Sequence, residues 1–529
     1  MSIIVALFAA HGAILGDWLI DDAGISLAYA RNLWEGNGWV AQRGVEPVEG
    51  FSNPLWTAFL APIVGLMGTT STWAIKVSAF GFLCAGLLAM SWDGLRRGGD
   101  VARSLLSAIA VVICPPLIIW GLSGLENALF FFLIALAVAS FPSTYVLGES
   151  ESIGRFVSGG ALAALLALTR PEGVLFALGP WIGLLFARFF GQALGPLRWR
   201  QLGAWAGGFV VPLGGYLLLR RIYFQDFLPN TYYAKPGVRL TGVLDLSSWV
   251  SLLGGVWGAA TVALAGALAA SLAYLTWTRS WSSRLSGLVA YGAVSAGAFL
   301  VLPADWMREF RFGSSFGPLL WWTTIEAFFL AATRARSLPI PRFAPHFIVG
   351  VALVAGAPAA VGRTTTFAND PDLSLQLVRD VFGRGLNSVA RGMGVQEGSV
   401  LLPDIGGTLL DSELAVRDLA GLSDRRIARL LPRDRQAFCD LVFDVMRPTF
   451  VHLHGPWIRF SGLPWDPRWT RDYVWVGGGD SRALQGRLGR EETISGDFVR
   501  RSELEARGCS LAKVRRLYIA HGAHLMKRL

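Results

Sequence analysis

Apolar segments separated by short polar loops fill the chain as far as about Gly362. Many of them reach the roughly 17 to 25 residues that a helix needs to cross a bilayer. The pattern predicts about eleven membrane-spanning helices, near residues 2–20, 72–91, 103–120, 127–141, 156–169, 172–188, 201–219, 246–275, 285–303, 315–333 and 343–362. The segments 127–141 and 156–169 are short for this role, so they need flanking residues or a locally thin bilayer.

One further apolar stretch, SNPLWTAFLAPIVGLMG at Ser52–Gly68, decides the topology. If it crossed the membrane, every later helix would reverse its direction. If it lies along the surface, the loop arginines share one side, which the positive-inside rule makes cytoplasmic. We therefore predict an interfacial helix here and a cytoplasmic N-terminus. The predicted cytoplasmic arginines are Arg96, Arg97, Arg103, Arg155, Arg188, Arg198, Arg200, Arg279, Arg284, Arg334, Arg336 and Arg342.

The opposite side collects the unusual polar loops. These are residues 21–50 and the stretches GLSGLENA, TRPEG, LRRIYFQDFLPNTYYAKPG and PADWMREFRFG, and the C-terminal tail emerges on this side as well. Loops that only connect helices have no reason to sort in this way. We therefore expect the extracytoplasmic face to carry the function.

The composition supports a membrane protein. The 529 residues are 53% hydrophobic and 16% charged, with a mean hydropathy of +0.47, which is too apolar for a soluble protein of this size. The net charge of +10 comes largely from arginines in the loops between helices, so we predict no nucleic-acid partner. No Lys or Arg precedes the first apolar segment, which favours an uncleaved membrane helix over a signal peptide.

Two domains are expected. Residues 1–362 form a polytopic α-helical membrane domain with a first extracytoplasmic loop at 21–71, and residues 363–529, which are richer in Arg, Asp and Glu, form an extracytoplasmic domain. Within the second, LLPDIGGTLLDSELAVRDLAGLSDRRIARLL at Leu401–Leu431 has the pattern of a buried strand, a loop and a helix. The C-terminal domain is therefore predicted to be α/β.

Asp21 and Asp22 stand side by side where the first helix leaves the hydrocarbon. Such carboxylates can simply be solvated or can cap the next helix. Alternatively, the amphipathic GISLAYARNL that follows places a carboxylate, partly desolvated, beside a groove, where a raised pKa suits a general base.

The stretch TRPEG interrupts a long apolar run at Thr169–Gly173. A helix started by Pro171 with Glu172 in its first turn explains the break structurally. Arg170 needs an anionic partner near membrane depth, and this partner is either a loop acid or a ligand.

Two extracytoplasmic loops concentrate cations that suit a phosphate group. Interfacial Arg and Tyr also anchor helices among headgroups, and Asp305 can pair internally with an arginine. A structural role and a phosphate-binding role therefore both stay open. Lysine and arginine bind phosphate, and tyrosine rings stack on sugars. The candidates are Arg220, Arg221, Tyr232, Tyr233, Lys235, Arg308 and Arg311.

Metal and dinucleotide signals are weak. The four cysteines show no CxxC spacing, and GGGD at Gly477–Asp480 lacks a strand–turn–helix context. His452 and His454 alternate in FVHLHGPW, as on one face of a strand or a turn, and two histidines alone do not define a metal site. We predict no cofactor and no metal ligands.

Six motifs in order resemble the GT-C superfamily of membrane glycosyltransferases. They are DDAGISLAYARNLWEGNGWV, VEGFSNPLW, GLSGLENALF, TRPEG, PNTYYAK and DWMREFRF. They are similar to a bacterial branch that includes the terminal arabinofuranosyltransferase capping mycobacterial cell-wall arabinan. The stretch Leu401–Leu431 also resembles that family's extracytoplasmic domain, and the sequence leaves its chemistry open.

The resemblance implies a cell-envelope enzyme in the bacterial inner membrane that moves a sugar from a polyprenyl-phosphate donor to a glycan or glycoconjugate acceptor. Asp21 or Asp22 would be the catalytic base, with Asp21 favoured, and displacement of polyprenyl phosphate would invert the anomeric carbon. Polyprenyl phosphate is a fair leaving group, so no essential metal is expected, although a divalent ion is compatible with this chemistry. The implied groove residues are Glu49, Asn53, Glu126, Arg170, Glu172, Asn230 and Asp305.

The sugar and two alternative functions stay open. Arg308 stands where the arabinofuranosyltransferases carry a histidine, and Pro303 and Ala304 replace two glycines, so arabinofuranose is one candidate among several. One alternative is a binding or scaffolding protein whose C-terminal tail is the active part. The main alternative is a polytopic transporter or lipid flippase with an extracytoplasmic binding domain. Such a protein is expected to carry charged or broken sites near the middle of several helices and an internal repeat. Here the acids cluster at one boundary.

Overall fold

The computed structural model describes residues 1–96, 100–141, 145, 152–192, 198–234, 246–302, 305–335, 343–478 and 495–521. Lys235, Arg97, Arg336 and Arg342 lie outside these ranges. The helices up to residue 369 are α1 Ser2–Ala13, α2 Asp21–Trp34, α3 Pro54–Met67, α4 Thr72–Arg96, α5 Val101–Val112, α6 Pro115–Gly121, α7 Asn127–Phe141, α8 Ile153–Thr169, α9 Gly179–Phe189, α10 Trp199–Tyr223, α11 Asn230–Ala234, α12 Leu246–Trp257, α13 Thr261–Trp277, α14 Ser283–Val301, α15 Phe316–Arg334 and α16 Ala344–Asn369.

The predicted multi-pass helical architecture is confirmed. Four of the described helical segments are long and apolar enough to span a bilayer, and the bent pairs α5–α6 and α12–α13 raise the number to six if each pair is one span. Shorter apolar helices add α1, α3, α7 and α8. The predicted count of about eleven spans stays a prediction.

Two predicted segments are bent where a continuous helix was expected. The 103–120 segment turns by 62° between α5 and α6, where Pro115 and Pro116 cannot continue the α5 hydrogen-bond ladder. The 246–275 segment turns by 96° between α12 and α13, at a short 3₁₀ turn whose Gly258 has φ +59°. A conformation of this kind breaks a helix and is one that glycine readily adopts.

The stretch predicted as an interfacial helix is helical. Asn53 precedes α3, which begins with Pro54 at its first position, as is common for helix starts. Trp56 is fully buried and donates its indole N–H to the Gly124 carbonyl at 3.0 Å. Helix α3 therefore packs into the domain beside α2, and its place at the membrane surface stays a prediction.

The C-terminal domain is α/β, as predicted. Its five-stranded sheet has the order β2-β1-β3-β5-β4, with β1 parallel to both β2 and β3, and with β5 antiparallel to β3 and β4. The strands are β1 Ser399–Leu402, β2 Ala415–Asp418, β3 Phe450–Leu453, β4 Tyr473–Gly477 and β5 Gly496–Arg500. The α-helices are α17 Leu375–Val378, α18 Leu386–Met393, α19 Gly406–Asp411, α20 Arg425–Leu430, α21 Arg435–Asp440, α22 Pro456–Ser461, α23 Arg468–Asp472, α24 Arg501–Ala506 and α25 Leu511–His521; π-helical turns follow at Arg379–Gly385 and Leu441–Met446.

The two domains share one apolar core. Alternate residues of β1 face opposite sides of the sheet: Val400 and Leu402 join the cluster that contains the buried residues of α2 and α7, whereas Leu401 packs with a second cluster on the far side. The boundary predicted after residue 362 falls inside α16, which runs to Asn369. Residues of the tail then return to the membrane domain, where the Leu375 N–H donates to the Leu19 carbonyl at 2.9 Å.

Candidate active site

Asp21 is the first residue of α2, and the C-terminal domain contacts its side chain. Its side chain is buried, and its two oxygens accept the backbone N–H groups of Gly406 at 3.1 Å and Gly407 at 2.7 Å. Burial, together with the charge of Asp404, raises the pKa of Asp21 well above its ordinary value, although the two N–H groups oppose the shift. This differs from the expected open groove, because both oxygens of Asp21 are already occupied.

The approach of the two domains at Asp21 depends on glycine. A Cβ at Gly406 would lie 1.8 Å from the Asp21 carbonyl oxygen, and a Cβ at Gly24, one turn further along α2, would lie 2.4 Å from the Gly406 carbonyl carbon. No side chain fits at either position without a shift of the backbone. The GG of PDIGGT is therefore what lets the first turn of α19 reach the start of α2.

Asp22 is the more accessible of the paired acids. Its side chain is 38% exposed, and its carboxylate lies 3.8 Å from the Arg311 guanidinium. Arg311 is also 2.9 Å from Asp305 and packs on the ring of Phe312. The structure thus brings together one carboxylate and one arginine from two of the predicted loops. An ion pair of this kind favours the ionised form of an acid.

The C-terminal domain adds an acid and two histidines beside these acids. Asp404 follows β1, and His452 and His454 lie at the end of β3; because β1 and β3 are parallel neighbours, these ends meet at one edge of the sheet. His452 Nε2 lies 3.1 Å from His454 Nδ1, which lies 3.4 Å from Asp404 Oδ2. Burial raises the pKa of Asp404 to about 6, with Asp22 contributing, and burial lowers the pKa of His454 to about 4.

Four predicted groove residues form one buried network. Arg170 extends from the break after α8 and pairs with Glu172 and, at 3.0 Å, with Glu126. Glu126 also accepts the Asn53 amide at 2.7 Å, and the Arg170 guanidinium stacks over Phe312. The motifs VEGFSN, GLSGLENA and TRPEG therefore meet, and the partners of Arg170 in the structure are loop acids.

This network is expected to stabilise the fold. Replacing Arg170 by Met keeps most of the side-chain volume but leaves Glu126 and Glu172 buried without their shared cation. Breaking such a pair costs about 3–5 kcal/mol, so we expect Arg170→Met to unfold at a clearly lower temperature in detergent micelles. Arg221→Met, at an exposed position, is the matched control. Equal unfolding temperatures for the two variants would contradict the stabilising role.

A second buried network surrounds Glu49. Glu49 is 2% exposed, and its carboxylate accepts from the Tyr216 hydroxyl at 2.7 Å and from Arg220 Nη2 at 3.0 Å. Asn230 donates its backbone N–H to the Glu49 carbonyl and its amide to the Gly421 carbonyl at 2.6 Å. Arg220, predicted to bind phosphate, is therefore engaged in an internal ion pair, and Asn230 ties this loop to the C-terminal domain.

The other predicted phosphate-binding residues are dispersed. Arg308 pairs with Asp372 at 2.7 Å and with Asp370 at 3.1 Å, while its side chain stays 48% exposed. Arg221 is exposed and packs over Phe227, and Tyr233 lies under the Arg429 guanidinium. Tyr232 is exposed, and Lys235 lies outside the described residues. Arg311, by contrast, contacts Asp22.

Comparisons with known proteins give a match by structure. No protein-family model and no curated protein sequence matches the chain. ArnT from Cupriavidus metallidurans in the apo state is similar at a TM-score of 0.56 and 12% identity, over 85% of this chain and 92% of that chain. The Archaeoglobus fulgidus oligosaccharyltransferase in complex with Zn and sulfate is similar at a TM-score of 0.51 and 10% identity, over 85% of this chain and 67% of that chain.

Arabinofuranosyltransferase AftD from Mycobacteria, as the R1389S mutant, is similar at a TM-score of 0.51 and 15% identity, over 94% of this chain and 41% of that chain. All three proteins are GT-C glycosyltransferases. The chain has the GT-C fold. The fold that the six-motif resemblance implies is thereby confirmed, and the similarity covers 92% of the ArnT chain.

The sequence did not single out several residues that lie beside the paired acids. Asp404, Gly406 and Gly407 lie in LLPDIGG, whose chemistry the sequence left open, and the two histidines were set aside for want of a third ligand. The signal that could have found them is positional. An Asp and a His that each end a predicted parallel strand share one edge of the sheet.

Proposed function

We propose that this GT-C chain is a membrane glycosyltransferase that moves a sugar from a polyprenyl-phosphate donor to an extracytoplasmic glycan or glycoconjugate. The single observation that carries the proposal is the accessible Asp22 carboxylate beside Arg311 at the start of α2. Its place after the first apolar helix matches the catalytic acid that the family resemblance implies. The bacterial inner membrane is the expected location, with α1 entering from the cytoplasm and the C-terminal domain outside.

Asp22 is the better placed of the two acids to act as base. Asp21 has both oxygens on backbone N–H groups, so it is a positioning residue that fixes the first turn of α2 against the C-terminal domain. Asp22 is partly exposed, and its carboxylate lies 3.8 Å from the Arg311 guanidinium. A carboxylate of this kind can accept the proton of an acceptor hydroxyl.

The proposed reaction is a direct displacement at the anomeric carbon. Asp22 takes the proton of the acceptor hydroxyl while the oxygen of that hydroxyl forms the new bond to the anomeric carbon. The bond from that carbon to the phosphate oxygen breaks on the opposite face, so the configuration inverts and polyprenyl phosphate leaves with the electron pair. Arg311 supplies positive charge for the phosphate, as expected for electrostatic stabilisation of a leaving anion.

A single reconstitution tests the function. Full-length protein in lipid nanodiscs is supplied with polyprenyl-phosphate arabinofuranose or with polyprenyl-phosphate hexoses, together with a synthetic glycan acceptor. We expect release of polyprenyl phosphate and an elongated acceptor, both read by mass spectrometry, for one sugar class. Mass spectrometry of co-purified lipid identifies which donor to use first.

The same donors, supplied to the protein in sealed vesicles, distinguish a glycosyltransferase from a transporter or flippase. A transporter or flippase would move the intact lipid-linked sugar across the bilayer without cleaving it. The three solved structures described above are glycosyltransferases and lend that alternative no support. Translocation without cleavage, for every donor tried, would overturn the proposal.

A further inference from the structure

Three potential ligand atoms converge at the edge of the C-terminal sheet. His452 Nε2, His454 Nδ1 and Asp404 Oδ2 contact one another at 3.1 Å and 3.4 Å, and the ligand atoms of the three residues all lie within 4.8 Å. Zinc binds His nitrogen and carboxylate oxygen at about 2.0–2.1 Å in tetrahedral sites, which places neighbouring ligand atoms about 3.3 Å apart. The two measured spacings of 3.1 Å and 3.4 Å are close to the edges of such a tetrahedron.

The environment of His452 presents one defined nitrogen to this point. Its Nδ1 lies 3.0 Å from Asp497 Oδ1, and Asp497 in turn accepts the hydroxyl of Tyr518. When Nδ1 carries the proton and donates to Asp497, Nε2 presents its lone pair on the side where His454 Nδ1 lies 3.1 Å away. A carboxylate on the far side of a ligating histidine is the usual arrangement around zinc, because it fixes the ring and its tautomer.

Hydrogen bonds alone leave one buried atom without a donor. If His452 donates its Nδ1–H to Asp497, its Nε2 accepts the Nδ1–H of His454, which is then not available to Asp404. Asp404 Oδ2 is buried and has no hydrogen-bond donor among the described residues. Leaving a buried carboxylate oxygen unsatisfied is costly. A cation among the three groups satisfies all of them at once.

We propose that Asp404, His452 and His454 bind a divalent cation of the zinc class. Two imidazoles and one carboxylate suit zinc better than magnesium or calcium, which prefer oxygen ligands alone. Three protein ligands leave a fourth position open, and the His454 side chain is 35% exposed, so solvent reaches this cluster. Sites with an open position bind water or a substrate oxygen.

The location connects this cation to the paired acids. Asp404 precedes Gly406 by two residues, and the Gly406 N–H donates to Asp21. In a step that rests on the proposed function, the open position binds a phosphate oxygen of the lipid-linked donor. The C-terminal domain would then supply part of the donor site, with Arg311 supplying the rest from the membrane domain.

Metal binding is tested on the full-length protein in nanodiscs, with the purification tag removed. The protein is dialysed against EDTA, exchanged into chelator-free buffer and titrated with ZnCl₂, and bound zinc is counted by inductively coupled plasma mass spectrometry. We expect one equivalent. His454→Ala and Asp404→Asn are expected to lose it, and Asp497→Asn to bind about 10–100-fold more weakly. His346→Ala, a histidine on α16 that pairs with Asp100, is the matched control.

The outcomes separate the site from its role. No stoichiometric zinc at micromolar free zinc, or equal binding by folded His454→Ala, overturns the site; thermal unfolding and size-exclusion profiles report folding. Zinc bound with transfer unchanged by EDTA overturns the donor role and leaves the site. Zinc bound with no transfer from any donor counts against the proposed function alone. Loss of transfer on chelation, restored by zinc, supports both.

Discussion

Asp22→Asn is expected to abolish sugar transfer while leaving the protein folded. The amide keeps the shape of the carboxylate but cannot accept a proton from the acceptor hydroxyl. Positioned general bases contribute roughly 10²–10⁴-fold, so we expect the rate of transfer to fall by a factor in that range. The side chain is 38% exposed, so the change should cost little stability. Initial rates in nanodiscs, measured with saturating donor, give the result.

Two variants make this test specific. Glu413→Gln removes an exposed carboxylate of the C-terminal domain and should leave transfer unchanged. Asp21→Asn turns an amide group toward a backbone N–H, so we expect it to lower the unfolding temperature, with a cost of about 1–3 kcal/mol. If Asp22→Asn keeps sugar transfer while Asp21→Asn loses it at normal stability, then Asp21 is the base and Asp22 is not.

The helical architecture was predictable because the length of each apolar segment in the sequence indicates a membrane helix. The break at Pro115 and Pro116 was also readable, since proline cannot continue a helix, whereas the turn at Gly258 has no comparable signal in its apolar surroundings. The gathering of the polar loops under the C-terminal domain agrees with their predicted place on one side. In the structure, Asp21, Asn230 and Arg308 each contact residues beyond position 369.

The partners of the candidate residues were not predictable, because they are distant in sequence. Glu49 and Arg220 are 171 residues apart, and Asp21 and Gly407 are 386 apart. No short sequence pattern predicts contacts between residues so far apart along the chain. For the same reason the cluster of Asp404 and the two histidines depends on β1 and β3 being parallel neighbours, which only the assembled sheet defines. Charged residues that looked free in the sequence, such as Arg220 and Arg308, are engaged in ion pairs once the chain folds.

Gly406→Ala is expected to impair transfer without altering any proposed catalytic or metal-binding side chain. The added Cβ would lie 1.8 Å from the Asp21 carbonyl oxygen and 2.8 Å from Asp21 Oδ1, so α19 must move away from α2. Overpacking of this kind typically costs about 1–3 kcal/mol. Because Asp404 lies two residues before Gly406, the same movement should carry Asp404 away from Asp21 and Asp22.

The signature of this prediction is a loss of transfer that exceeds the loss of stability. Rates and unfolding temperatures are compared with those of Gly362→Ala, a helical glycine whose added Cβ meets nothing within 4 Å. We expect Gly362→Ala to retain transfer, and Gly406→Ala to lose most of it at temperatures where the protein is still folded. Zinc binding by Gly406→Ala should persist, because its ligands all lie within the C-terminal domain. Full transfer by Gly406→Ala would mean that the contact between α19 and α2 does not organise the site.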